Sequence, residues 1–305
     1  MSTEKKMKVL ITGANGLLGQ KLVKLYESKE DVDVIATGRG ATRNPFGSYT
    51  YEQMDVTVAS EVDKILSKHQ PDVVINTAAM THVDQCELDP ETCQKLNVDA
   101  VSHLIEASKK TNSFIIHLST DFIFDGEDGP YVEDDLPNPL SKYAESKLES
   151  EKLLEASGLK HAIVRTMLVY GIVPDMSRSN IILWVKKSLE EKQLIKVVND
   201  QWRTPTLAED LAKGCALIAE KRAEGVWHIS GSDMLTPYDM AIATADFFNL
   251  DKSLIEKADG SIFTQPAKRP AKTGFILDKA KRELGFEPVS FKEGLAILKS
   301  QLANV

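Results

Sequence analysis

The sequence predicts an α/β fold, a doubly wound parallel sheet followed by a smaller C-terminal lobe. Three observations support this. Short apolar runs alternate with helical patterns through the first half of the 305 residues. The run DVVINT (72–77) is rich in β-branched residues, as a strand covered on both faces should be. A glycine-rich turn joins the first apolar run to the first amphipathic stretch.

Each element follows in order. Residues 8–12 form the first strand. Over 17–28, Leu18, Leu22 and Leu25 recur on one helical face. A second strand is expected at 32–37 and a short third one just before Met54. Residues 58–69 read as a helix that Pro71 and Asp72 interrupt. After the strand at 72–77 come a helix at 96–110, a strand at 114–118 and a helix at 142–156. A further strand covers 162–164 with Thr166. The second half is less regular. Helices are expected at 181–191, 207–222, 237–248, 278–284 and 291–302, with a strand at 226–229. Residues 260–274 carry Pro266 and Pro270 and read as loop.

Composition narrows the function classes. Hydrophobic residues make up 42% and charged residues 27%, as in soluble globular proteins. The net charge is -8 and no basic stripe is present, which argues against nucleic acid as a partner. No apolar run approaches the ~20 residues that span a membrane. The polar, basic N-terminus meets an apolar run that breaks at Gly13, unlike a secretory signal, so a cytoplasmic chain is expected. Cys86, Cys93 and Cys215 are too few for a disulfide framework and read as buried thiols. The six histidines are scattered, with no zinc-binding spacing.

The segment VLITGANGLLG (9–19) places Gly13, Gly16 and Gly19 in a GxxGxxG pattern between a strand and a helix. Missing side chains let the backbone approach a pyrophosphate, which then meets free N–H groups at the positive end of the helix. This is the context of a dinucleotide-binding Rossmann domain. The second strand ends in Thr37-Gly38-Arg39, with Arg43 close behind, where NAD-binding chains carry an acidic residue. A guanidinium fork suits a 2′-phosphate, so NADP is expected. Asp55 follows the third strand and is expected at the adenine edge.

Tyr143 and Lys147 stand four residues apart, on one face of the helix at 142–156. A nearby ammonium lowers a phenol's pKa, so Tyr143 is expected to act as a proton donor tuned by Lys147. Ser119 and Thr120 end a parallel strand, where ligands bind, and Thr120 is expected to polarise a substrate carbonyl. Their chance alternative is a pair of turn-forming hydroxyls. Residues 1–170 are expected to form the cofactor domain, with 200–230 returning to it, and 171–305 to form mainly the second lobe.

Taken together, TGANGLLG (12–19), NTAAMTHVDQCE (76–87), LNVDA (96–100), STDFIFDG (119–126), YVEDDLPNPLSKYAESKLESE (131–151), RTMLVYG (165–171), DQWRTPT (200–206) and WHISG (227–231) resemble the extended short-chain dehydrogenase/reductase family, in its dTDP-4-dehydrorhamnose reductase branch. Arg269-Pro270 and Leu277-Asp278 extend the resemblance along nearly the whole chain. It implies NAD(P)H-dependent reduction of a 4-keto group on a nucleotide-linked deoxysugar, with the second lobe binding the sugar nucleotide. It adds Asn15, Leu17, Leu18, Val56, Ala78 and Ala79 to the cofactor set. It places Met80, Thr120, Asp121, Phe122, Leu168 and Arg203 at the substrate, and leaves a homodimer open.

Three positions depart from the branch. Leu168 stands where an aromatic residue is usual. Arg203 replaces a glycine in DQxGxPT, where it would contact a diphosphate or lie exposed. Lys21 occupies the place of an acidic residue that binds Mg²⁺ in some members, so no metal site is expected. QWRTPT and WHISGSDMLTPYDMAIATADFFNL also resemble the regulatory β subunit of methionine adenosyltransferase. An NADP-binding regulatory subunit with little turnover is therefore the competing class, and a sugar-nucleotide epimerase is a third. Phe122 replaces the glutamate of sugar-nucleotide dehydratases, which disfavours elimination.

Overall fold

The computed structural model describes residues 5–43, 47–176 and 179–302. Among the described residues there are eleven strands: β1 (Met7–Thr12), β2 (Val32–Gly38), β3 (Thr50–Gln53), β4 (Val73–Asn76), β5 (Phe114–Thr120), β6 (His161–Thr166), β7 (Val169–Tyr170), β8 (Ile195–Val198), β9 (Thr206–Leu207), β10 (Gly225–His228) and β11 (Ile255–Ala258). The helices are α1 (Leu17–Glu27), α2 (Ala59–His69), α3 (Val83–Leu88), α4 (Pro90–Gln94), α5 (Ala100–Thr111), α6 (Lys142–Glu155), α7 (Ile181–Glu190), α8 (Ala208–Lys221), α9 (Pro237–Phe248) and α10 (Phe291–Leu302).

Seven strands form one parallel sheet in the order β10-β6-β5-β4-β1-β2-β3. Its two faces follow from the two-residue period of a strand. Val9 and Ile11 of β1 point to the side of Leu22, Tyr26, Leu211 and Ile218, from α1 and α8. Leu10 between them points the other way, toward Val62, Leu66, Val101 and Leu104 of α2 and α5. Apolar burial on both faces is why the strands read as continuous apolar runs.

The chain runs outward through β2 and β3, then returns to place β4 on the other side of β1. That reversal opens a crevice at the carboxyl ends of β1 and β4, where ligands of such sheets bind. Two short parallel pairs, β8 with β11 and β7 with β9, lie outside the main sheet. The β8–β11 pair packs on Val185, Leu189, Ala241 and Ala245 of α7 and α9. Tyr170, Ile182, Met240 and Phe291 form a neighbouring core with α10.

These four short strands and helices α3 and α4 are additions to the sequence-based picture. The expected helix at 278–284 forms as a short α turn opening into a wide π turn at Ala280–Leu284. All three cysteines are free and buried. Among the described residues, no helix is long and apolar enough to cross a membrane.

Candidate active site

The crevice begins at the glycine turn. Gly13 has φ +63°, and a Cβ there would lie 2.9 Å from the Ala78 nitrogen. A Cβ on Gly19 would lie 2.4 Å from the Gly13 oxygen, so only glycine lets α1 pack this close. Gly16 caps α1 in extended geometry, with no side chain bonded to the first-turn N–H groups. Those donors, beginning at Leu17 and Leu18, form a cradle of the kind that takes a pyrophosphate. The residues therefore fit a dinucleotide.

Asn15 fixes the cradle to the loop after β2. Its amide donates to the Ala41 carbonyl (3.0 Å) and the Tyr51 hydroxyl (3.0 Å), and it accepts from the Arg43 backbone N–H (2.9 Å). Arg39 lies exposed at the end of β2. Arg43 is instead engaged with Asp175, by an ion pair at 3.3 Å and a bond to its carbonyl. Val56 is buried, and Asp55 beside it accepts from the backbone and hydroxyl of Thr57. Burial pushes the Asp55 carboxyl up, but the Thr57 bonds with Arg39 and Lys95 hold it below its ordinary value.

The loop after β4 forms the next wall. Ala78 donates its N–H to Thr12 Oγ1 (3.2 Å), and Ala79 follows it. Asn97 grips Met80 through both its backbone N–H (2.8 Å) and its carbonyl (3.1 Å), and donates to Ser146 of α6 (3.0 Å). Asn97 thus joins the loop to the helix that carries Tyr143 and Lys147.

Ser141 caps α6 by accepting from the Ala144 N–H (3.3 Å). One turn of helix brings Tyr143 and Lys147 to the same side, and both are buried. The Tyr143 ring packs with Cys86 and Cys93, beside Met80, Val83 and Phe122. Phe122 meets it edge-on at 6.1 Å. Thr120, from the end of β5, lies close enough to Tyr143 to oppose the rise of its pKa, and its own hydroxyl donates to Asp121 Oδ1 (3.2 Å).

Lys147 Nζ lies 3.2 Å from His117 Nε2. His117 is itself held by Ser150 (2.9 Å) and Asn76 (3.1 Å), and Asn76 accepts from Thr12 (2.6 Å). A buried polar chain therefore runs from β1 through β4 and β5 to the lysine. Burial drives His117 well below its usual range, with Lys147 adding to the effect, so this imidazole is neutral.

One expectation is corrected here. The phenol is not lowered by its lysine. Burial raises the Tyr143 pKa, Asp121 and the two thiols raise it further, and only Thr120 opposes them. The same burial brings Lys147 down to about 8, so its own charge is weakened.

The sequence signature of the RmlD substrate binding domain matches residues 7–303. The chain belongs to that family. It is 32% identical to the dTDP-4-dehydrorhamnose reductase of Aggregatibacter actinomycetemcomitans, over 96% of this chain and 98% of that one. It is 35% identical to methionine adenosyltransferase 2 subunit beta of Bos taurus, over 81% of this chain and 73% of that one. The crystal structure of Bacillus anthracis dTDP-4-dehydrorhamnose reductase in complex with NADP superposes with a TM-score of 0.86, at 26% identity, over 97% and 99% of the two chains.

Within this RmlD-family fold the three unusual positions are now placed. Leu168 is 41% exposed at φ +40°. Lys21 pairs with Glu209 at 2.6 Å and donates to Gln301. Arg203 corrects its expectation, since it is neither exposed nor free for a diphosphate. It is buried, with Nη1 donating to the carbonyls of Trp202 (2.7 Å) and Ala271 (3.2 Å) and Nη2 to Pro270 (2.7 Å). Its Nε lies 3.5 Å from Asp121 Oδ2. Asp121 is likewise buried and also accepts from Thr273. The sequence pattern also missed Asn97, Asn76 and His117. Their signal is a polar residue inside an otherwise buried run.

Proposed function

We propose that this chain reduces the 4-keto group of a nucleotide-linked deoxysugar, with NADPH as the reductant. The observation that carries the reading is the buried chain from Thr12 through Asn76 and His117 to Lys147, which ties the helix bearing Tyr143 to the strand that ends in the glycine turn. Relatives that match over nearly their full length include dTDP-4-dehydrorhamnose reductases, one of them solved with NADP.

Bound NADPH supplies the hydride. Gly13, Gly16 and Gly19 with Asn15, Leu17 and Leu18 would hold its pyrophosphate, Arg39 would take the 2′-phosphate, and Asp55 and Val56 would border the adenine. Ala78 and Ala79 line the path toward the nicotinamide. Tyr143 gives its hydroxyl proton to the 4-oxygen. Lys147 would hold the cofactor ribose, and Thr120 donates to the same 4-oxygen. A positioned acid of this kind contributes roughly 10²–10⁴ in rate. Met80, Phe122 and Leu168 shape the sugar site, while Asp121 and Arg203 support it from below.

The nucleotide half is assigned to a cavity of about 490 Å³ in the second lobe, whose lining includes Asn180, Trp184, Val197, Gln201 and Arg269. Trp184 offers a half-exposed ring on which a base stacks. We place the reaction in the cytoplasm.

Tyr143→Phe tests the reading. It should abolish NADPH consumption on dTDP-4-ketosugars while leaving NADPH binding nearly intact. Unchanged turnover would remove Tyr143 as the acid. The regulatory reading draws on the 35% identity to methionine adenosyltransferase 2 subunit beta. It predicts tight NADPH binding with no consumption across a panel of 4-ketosugar nucleotides.

A further inference from the structure

Cys86 and Cys93 are buried thiols that the proposed reduction does not use. They lie on α3 and α4, helices of six and five residues joined through Asp89. The two helices pack on each other, and both pack on α6. Cys86 and Cys93 share one buried cluster with Tyr143.

Their polar contacts converge on Asn97. Cys86 Sγ donates to the Met80 carbonyl (3.6 Å). Asn97 Nδ2 lies 3.1 Å from that carbonyl, 3.5 Å from Cys93 Sγ and 3.0 Å from Ser146 Oγ. Cys93 Sγ in turn donates to Ser146 Oγ (3.3 Å). Both thiols are therefore built into the joint that holds the loop after β4 against the helix of Tyr143 and Lys147. Each supplies that joint with one S–H donor.

Two neighbouring thiols differ from a lone one, because each can resolve an oxidised form of the other. Their environments are unequal. The Cys93 thiol is held below its ordinary value, chiefly by its Cys86 neighbour; burial opposes this, and Ser146, Asn97 and Lys147 support it. Cys86 is pushed up by the same neighbour and by burial. Cys93 is thus the thiolate former of the pair. Helices this short owe their stability to packing more than to their own hydrogen bonds, so they open locally and admit a small oxidant.

We propose that Cys86 and Cys93 are a reversible oxidation site, converted by hydrogen peroxide to a disulfide that switches the neighbouring site off. The activity it controls rests on the reductase reading. The Cys93 thiolate attacks one peroxide oxygen and the O–O bond breaks. Hydroxide leaves and takes up the proton that Cys93 released, and Cys93 becomes a sulfenic acid. The Cys86 sulfur then attacks the Cys93 sulfur. The S–S bond forms, the S–O bond breaks, and the hydroxyl departs with the Cys86 proton as water. The thiols lose two electrons and the peroxide gains them. A bridged sulfur has no proton left to donate, so the bonds to the Met80 carbonyl and to Ser146 are both lost. The wall behind Tyr143 then shifts.

The test treats the full chain with hydrogen peroxide and removes the excess before each readout. Thiol titration after unfolding should then find only one of the three cysteines free, Cys215. Cleavage after Glu87 and Glu91 separates Cys86 from Cys93, so the peptides bearing them should stay joined until dithiothreitol is added. NADPH consumption on a dTDP-4-ketosugar should fall by about tenfold or more and return with dithiothreitol. Cys93→Ser, compared with its own untreated sample, should keep its turnover through the treatment, while Cys215→Ser should lose it as the parent does. If the serine variant does not fold, the thiol count and peptide map of the parent decide the matter. Three free thiols after treatment, a bridge that leaves turnover unchanged, a loss that Cys93→Ser shares, or oxidation that dithiothreitol does not reverse would each overturn the proposal. A bridge that forms and reverses in a parent that consumes no NADPH before treatment rejects the reductase reading instead.

Discussion

Replacing Lys147 with methionine should stabilise the folded protein while abolishing activity. The ammonium is fully buried, and its pKa is brought from an ordinary 10.5 to about 8, chiefly by that burial. Glu151 and the thiols of Cys93 and Cys86 only partly offset the penalty. Each tenfold loss of proton affinity corresponds to about 1.4 kcal/mol, so the charged lysine costs about 3 kcal/mol of stability at neutral pH. The sign follows from proton counts. Between pH 8 and 10.5 the unfolded chain keeps the lysine proton and the native chain has lost it. Stability contributed by this group therefore rises with pH through that window and is lowest below it. Methionine keeps the unbranched shape without the charge. Urea unfolding at pH 7 should place Lys147→Met above the parent by up to about 3 kcal/mol, and the gap should narrow by pH 9.5. A variant less stable than the parent at pH 7, with a gap that does not change with pH, would refute the reasoning. It would mean that the 3.2 Å contact to His117 and its network hold the fold more strongly than the buried charge strains it.

Two further outcomes test the cofactor cradle. Gly19→Ala would place a methyl 2.4 Å from the Gly13 oxygen and 2.6 Å from the Ala14 Cα, against backbone that cannot swing aside. It should lose about 1–3 kcal/mol of stability and at least tenfold in NADPH affinity, read by thermal unfolding and fluorescence titration. Wild-type affinity would argue that no pyrophosphate sits there. Arg39→Asp should shift the NADPH/NADH preference toward NADH by about tenfold or more, measured as a ratio of kcat/KM. An unaltered ratio would take the 2′-phosphate away from Arg39.

What was legible in the sequence was local. The glycine turn could be read because its backbone requirement is met within a dozen residues, and Tyr143 and Lys147 because helical period alone brings them to one face. The central strands of the main sheet were legible because burial on both faces leaves apolar runs, whereas the edge strand β3, TYEQ, is polar and largely exposed. Strands β7 and β9 were not, since two-residue pairings exist only because distant segments align them. Arg203 shows the same limit for a side chain. Its burial depends on carbonyls nearly seventy residues away, which no local pattern announces. The tuning of Tyr143 failed for a related reason. Spacing reported that a cation is near, but the ring sits among Cys86, Cys93 and Phe122, and that burial raises the phenol.

The central claim is that hydride and proton both reach a sugar carbonyl in the crevice between the glycine cradle and Tyr143. Its most direct test uses NADPH deuterated at nicotinamide C4 with a dTDP-4-keto-6-deoxysugar, followed by NMR of the product. The account predicts deuterium on sugar C4 with the parent protein and none with Tyr143→Phe. Tight binding of the labelled cofactor with no label reaching any 4-ketosugar nucleotide would contradict it.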